Sequence, residues 1–97
     1  MSYFMVIREA GPSWATDSPI REQAKWTEHA AFMEALVVDG FVVLGGPLGD
    51  GPTTMLIVDG GGEEEIRARL AGDPWTPLGL LAIASIEPWE VLLSGLT

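Results

Sequence analysis

Two apolar segments on either side of a glycine- and proline-rich turn constrain the fold of this chain more than any other feature. Residues 41–44 read FVVL, residues 55–58 read MLIV, and PLGDGPT (47–53) between them is typical of a turn. We therefore predict strands over 41–46 and 54–59 that pair as a hairpin. Because side chains alternate between the two faces of a strand, consecutive apolar residues indicate strands that are buried on both faces.

Two further segments carry the signals of helices. Ser18 is a favourable N-cap residue and Pro19 suits the first helical position, so we predict a helix over 19–38 that Gly40 ends. EEEIRARLAG predicts a short second helix over 63–72, because its glutamates suit the positive N-terminal end of the helix dipole. Each helix lies between two strands in the chain.

The order of the elements defines the expected architecture. Two further strands are predicted from their composition, YFMVIR (3–8) and LLAIASIE (80–87). A possible extra edge strand is PWEVLL (88–93). The resulting order β-α-β-β-α-β is the split βαβ arrangement of ferredoxin-like α+β domains. Right-handed crossovers then place both helices on one face of a four-stranded antiparallel sheet. We expect residues 1–97 to form one domain, since single cores usually need about 100 residues.

We expect the face of this sheet opposite the helices to be buried against another surface. The hairpin strands are apolar on that face too, and 47% of the chain is hydrophobic, which is more than a small monomer hides easily. Most soluble oligomers are symmetric homo-oligomers. We therefore predict a homodimer in which the open sheet faces pack against each other.

Charge and residue usage exclude several kinds of partner. Fourteen acidic and five basic residues give a net charge of −9, which disfavours nucleic acids and anionic membranes as partners. With no cysteine, one histidine and no nucleotide-binding glycine motif, we expect neither a metal site nor a cofactor. The chain also lacks a signal-peptide pattern and an apolar run of about 18 residues, so we expect a cytoplasmic protein.

The predicted topology brings three loops to one end of the molecule. They are 9–19, 45–53 and 72–79, and the first half of the helix that carries His29 faces the same end. A concave site with apolar walls and few polar groups is the usual form of a ligand pocket. A carboxylate beside His29 would fix the imidazole tautomer and leave the other ring nitrogen free as a general base or acid.

The same residues also have structural interpretations. A lone histidine on an apolar helix face is commonly a core residue with a satisfied hydrogen bond, and Asp73 before Pro74 suits a turn or a cap. The tryptophans are typical core residues. Ser13 or Ser18 could complete a Ser–His–Asp triad, although no nucleophile-elbow motif supports one. The residues alone leave these alternatives open.

Three segments, in their order along the chain, resemble the YCII-related family of the dimeric α+β barrel superfamily. They are REQAKWTEHAAFMEAL, GFVVLGGPLGD, and GDPWTPLG followed by a final strand that ends in EPW. The resemblance covers nearly the whole chain and implies a ferredoxin-like fold, dimerisation through the open sheet face, and an active site of His29 and Asp73. Some relatives carry an acidic residue just after the first strand, for which Glu9 is the nearest match.

What is known of these relatives implies chemistry on small rings. The family includes an aromatic-ring dehydrochlorinase, and the superfamily includes cofactor-free monooxygenases and lactone isomerases. We predict a cofactor-independent lyase, isomerase or dehydratase that transfers protons on a small cyclic or aromatic metabolite, with His29 as base or acid and Asp73 orienting it. The predicted substrate-binding residues are Glu9, Trp14, Trp26, Met33 and Trp75. The alternatives are a non-catalytic dimeric module that binds a small molecule, and a structural protein with a filled interior.

Overall fold

The strands and helices follow one another in the predicted order. A computed structural model describes residues 2–96. Its elements are β1 (Tyr3–Ala10), α1 (Trp26–Val38), β2 (Val42–Pro47), β3 (Thr54–Asp59), α2 (Glu63–Leu70) and β4 (Leu81–Trp89), with a short 3₁₀ turn at Ile20–Glu22. The predicted ferredoxin-like α+β fold is confirmed.

The four strands form one antiparallel sheet in the order β2-β3-β1-β4. β1 therefore lies inside the sheet, between β3 and β4. Arg8 near the end of β1 is directly opposite Thr54 at the start of β3, and opposite Ile83 on its other side. This register makes Arg8 and Thr54 neighbours on the same face of the sheet.

Both helices pack on one face of the sheet. The core is built from alternate residues of the strands and one stripe of each helix, as expected for amphipathic elements. Its buried members are Val6, Val42, Leu56 and Val58 from the strands, Leu36 from α1, Phe41 just after α1, and Ile66 and Leu70 from α2.

The first helix begins later than predicted. The pattern indicated a helix from residue 19, but α1 starts at Trp26, because Lys25 has a left-handed backbone with φ of 61°. The Gln23 side chain also bonds the preceding loop: its amide N–H donates to the carbonyls of Ala15 and Ser18, and its Oε1 accepts from the Ala15 N–H. These bonds favour a folded loop over a continuous helix.

The helix-free face of the sheet carries exposed apolar side chains. Leu44, which lies opposite Ile57 on that face, is 52% exposed, and Trp89 is 48% exposed. The extra edge strand considered over 88–93 is not formed: β4 ends at Trp89, and residues 90–96 have no regular secondary structure. No helix within residues 2–96 combines the length and apolarity that crossing a membrane requires.

Candidate active site

A buried carboxylate is the centre of the candidate site. Asp73 has no exposed surface, and it accepts hydrogen bonds from three parts of the chain. Arg8 Nη1 on β1 lies 2.9 Å from Oδ2, the Trp75 backbone N–H lies 2.9 Å from Oδ1, and His29 Nδ1 on α1 lies 2.9 and 2.8 Å from the two oxygens. The predicted hydrogen bond between His29 and Asp73 is therefore present.

The local sequence explains how Asp73 reaches this place. α2 ends at Leu70, and the Asp73 side chain accepts from the N–H two residues further on, as aspartates do when they stabilise a turn. The Asp73 carbonyl also accepts from the Thr76 N–H. The turn-forming role and the role as partner of His29 thus belong to the same carboxylate.

The surroundings of Asp73 keep it ionised. Burial raises the pKa of this carboxyl, but hydrogen bonds from His29, the Trp75 N–H and Arg8 outweigh burial and hold the pKa below its usual value of 3.8. Because an ionised carboxylate can only accept hydrogen bonds, neutral His29 must carry its proton on Nδ1. Its Nε2 is then left with a free lone pair.

The imidazole of His29 is held in a fixed plane. It stacks on the indole of Trp75 with ring centres 3.7 Å apart and an angle of 5° between the rings. Trp75 is itself completely buried, and its indole N–H donates to the carbonyl of Ala24 at 2.6 Å. Within residues 2–96, Nε2 of His29 has no hydrogen-bond partner, so this nitrogen is available to a ligand.

His29 lies in the wall of a largely apolar cavity of about 220 Å³. A cavity of about 150 Å³ is enough to hold benzene, so this space fits one six-membered ring with a few substituents. The polar side chains in its wall are Arg8, His29 and Thr54. The other lining residues are Ile20, Trp26, Met33, Val37, Val42, Gly45, Gly46, Pro47, Leu56 and Leu81.

The predicted substrate-binding residues divide into two groups. Trp26 and Met33 line the cavity with His29, as their spacing on α1 indicated. Trp75 and Trp14 do not: Trp75 lies behind the imidazole, and Trp14 packs edge-on against Trp75 with ring centres 5.7 Å apart. Of the three loops expected to converge at the site, 45–53 lines the cavity through Gly45, Gly46 and Pro47 at the end of β2, whereas 9–19 and 72–79 do not; most of the wall comes from α1, β2 and β3.

Glu9 also lies away from the cavity. It is exposed, whereas its neighbour Arg8 is buried and points toward the helices. Adjacent residues of a strand face opposite sides of a sheet, so only one of these two can reach the cavity. Of the two, Arg8 lines the cavity and Glu9 does not.

Sequence reasoning did not find two polar residues of the cavity wall, Arg8 and Thr54. The sequence does indicate that Arg8 faces inward. Alternate residues of a strand lie on the same face, and Arg8 follows Phe4 and Val6, which belong to the core side of β1. An arginine on an inward face needs a buried partner, and Asp73 is that partner. Thr54 gave no comparable signal, since threonine is ordinary in strands.

Acidic groups elsewhere do not gather around this site. Within residues 2–96, no three histidine, aspartate or glutamate side chains lie together as ligands of a metal ion would. The oxygens of Asp73 are already engaged by Arg8, His29 and the Trp75 N–H.

The fold and the site define a ferredoxin-like α+β protein with a buried histidine–carboxylate pair beside an apolar cavity. A similar solved structure is that of 5-chloro-2-hydroxyhydroquinone dehydrochlorinase from Burkholderia phenoliruptrix AC1100 in complex with 2,5-dihydroxybenzoquinone. The likeness has a TM-score of 0.61 at 24% sequence identity, and it covers 91% of this chain and 93% of that chain. It shows a common fold over nearly the whole of both proteins. No protein-family model and no curated protein matches the sequence.

Proposed function

We propose that this protein is a cofactor-independent enzyme of the YCII-related family that transfers a proton on a single-ring cyclic or aromatic substrate. The reaction is of the lyase, isomerase or dehydratase type. The observation that carries the proposal is the position of His29, which bonds the buried Asp73 through Nδ1 and lines an apolar cavity with Nε2 unpaired.

The steps assigned to the chain follow from this geometry. His29 Nε2 takes a proton from the substrate, and the electron pair left behind moves into the conjugated ring. Asp73 then stabilises the imidazolium and keeps it in place. Return of the proton to another ring position completes an isomerisation, whereas loss of a leaving group from the adjacent carbon completes an elimination.

Two observations support a ring as the substrate. The cavity of about 220 Å³ fits one substituted six-membered ring, and its walls are mainly apolar. The enzyme with the similar fold is named for its action on a chlorinated hydroxyhydroquinone and is bound to a dihydroxybenzoquinone. Hydroxylated or keto derivatives of a single ring are therefore the substrate class that we propose.

Proton transfer can be tested before the physiological substrate is known. A panel of single-ring phenols, quinones and cyclic ketones is first screened by thermal shift, because ligands that bind the folded state raise its apparent stability. Compounds that bind are then incubated with the protein in D₂O and followed by NMR. We expect the wild type to accelerate deuterium uptake at a ring position, and His29→Gln to bind the same compounds without accelerating it.

A matched variant controls for general effects of substitution on α1. Glu34 is exposed on the same helix, so Glu34→Gln should behave as the wild type in both assays. If the compounds bind but wild type and His29→Gln give the same uptake, the enzymatic proposal is wrong. The protein is then a module that binds small molecules without turning them over.

A further inference from the structure

We propose that Arg8 and Thr54 form an oxyanion-binding site in this cavity, so that the ligand carries a phenolate or enolate oxygen on its ring. The inference rests on the proposed function for the location of the ligand. It adds the place where negative charge develops when His29 removes a proton. Thr54 and Arg8 would then contact the substrate directly.

Position is the first argument. Arg8 and Thr54 are opposite each other on the adjacent strands β1 and β3, and both line the cavity together with His29. Arg8 is 3% exposed and Thr54 is 7% exposed, so both side chains belong to the buried part of the wall. A ring in the cavity would have the proton-accepting group on the α1 side and these two donors on the sheet side.

Unused hydrogen-bonding capacity is the second argument. Over residues 2–96, the side-chain nitrogen and oxygen atoms that have almost no accessible surface and no hydrogen-bond partner are Arg8 Nε and Thr54 Oγ1. Buried polar atoms are nearly always paired in folded proteins, so two neighbouring exceptions in one cavity wall are unusual. Both atoms have almost no accessible surface, so a ligand oxygen would accept from them after a small shift of the two side chains toward the cavity, and would then satisfy them.

Charge is the third argument. Arg8 gives one hydrogen bond to Asp73, but its second terminal nitrogen meets only the sulfur of Met33 at 3.5 Å, and sulfur is a weak acceptor. The guanidinium therefore has N–H groups without a strong acceptor, and these can donate to an anionic oxygen. An apolar wall strengthens such an interaction, because it lowers the local dielectric constant.

The reaction stays balanced in charge with this arrangement. Before proton transfer, the Arg8 cation balances the Asp73 anion, and His29 and the ligand are neutral. After transfer, the imidazolium balances the oxyanion, while the first pair is unchanged. No uncompensated charge is buried at either stage, which is the condition for keeping charged groups in such a cavity.

Two probes that differ by one oxygen test the site by binding alone. 4-Nitrophenol can transfer its proton to His29 on binding and then presents a phenolate beside the imidazolium, whereas nitrobenzene has the same ring without that oxygen. Isothermal titration calorimetry gives Kd for both with the wild type, Thr54→Val and Thr54→Ser. We expect Thr54→Val to weaken 4-nitrophenolate binding about tenfold, Thr54→Ser to restore most of it, and nitrobenzene binding to stay within about twofold throughout.

Thr53→Val is the matched control, because Thr53 is the adjacent residue and does not line the cavity. It should bind both probes as the wild type does. The inference is overturned if the wild type does not bind 4-nitrophenolate, if Thr54→Val leaves its Kd unchanged, or if the variant weakens both probes equally.

The outcome is independent of the proton-transfer assay. If Thr54-dependent binding is found but His29 has no effect on deuterium uptake, the oxyanion-binding site stands and the proposed enzyme does not. If uptake depends on His29 but Thr54→Val binds 4-nitrophenolate normally, the proposed enzyme stands and the oxyanion-binding site does not.

Discussion

Asp73 stabilises the turn after α2 and orients His29 with the same two oxygens. Arg8 supplies the positive charge that makes its burial tolerable. The side chain thus joins β1, α1 and the loop before β4 at a single point. Its two interpretations from the sequence, turn-former and histidine partner, are therefore compatible.

Replacing Asp73 with asparagine should destabilise the protein as well as impair proton transfer. Asp73→Asn keeps the shape but leaves Arg8 buried without its counter-charge, which we expect to cost about 3 kcal/mol. The control is Asp39→Asn, because Asp39 pairs with Arg69 at the surface, where ion pairs contribute less than about 1 kcal/mol. Urea unfolding of both variants measures the difference. Equal losses would contradict a special role for the buried carboxylate.

The low pKa of Asp73 also predicts how stability changes in acid. Because the pKa is lower in the folded than in the unfolded state, the ionised carboxylate stabilises the fold above the usual value of 3.8. This contribution is lost as the pH falls through the folded pKa. The gap in unfolding free energy between the wild type and Asp73→Asn should therefore narrow from about pH 5 to about pH 2. A difference in unfolding free energy that stays constant over this range would contradict a lowered pKa of Asp73 in the folded state.

At the scale of elements, local patterns located the strands and helices better than their ends. β3 has the predicted bounds, and α2 starts at the predicted residue. The start of α1 could not be predicted, because it depends on the Gln23 side chain reaching the loop backbone and on the left-handed Lys25. Topology was enough to bring His29 and Asp73 together, whereas the cavity wall depends on which alternate residues of β1 and β3 face inward.

Gln23 should control the order of the loop before α1. Gln23→Ala removes three hydrogen bonds to the loop and should cost about 1–3 kcal/mol. We expect faster hydrogen exchange at the Ala15 amide, with amides of β1 and β3 less affected. Glu22→Ala, at an exposed neighbouring position, is the control. An unchanged rate at Ala15 would show that other contacts order this loop.

At the scale of the whole molecule, the two faces of the sheet are covered unequally. The helices bury one face, while Leu44 and Trp89 remain about half exposed at the helix-free face. The segment after β4 adds three more exposed leucines, Leu92, Leu93 and Leu96. Apolar surface gathered in this way is typical of an interface rather than of a solvated surface.

We therefore predict a homodimer through the helix-free sheet face, with a total buried area above about 1,000 Å². Leu44→Glu should dissociate it, because a two-fold interface would bring a charge from each copy into an apolar contact. Val38→Glu is the control, since Val38 is 82% exposed at the end of α1 on the other side of the sheet. Sedimentation velocity at micromolar concentration should show dimers for the wild type and Val38→Glu, and monomers for Leu44→Glu. A monomeric wild type, or dissociation by Val38→Glu instead, would exclude this face as the interface.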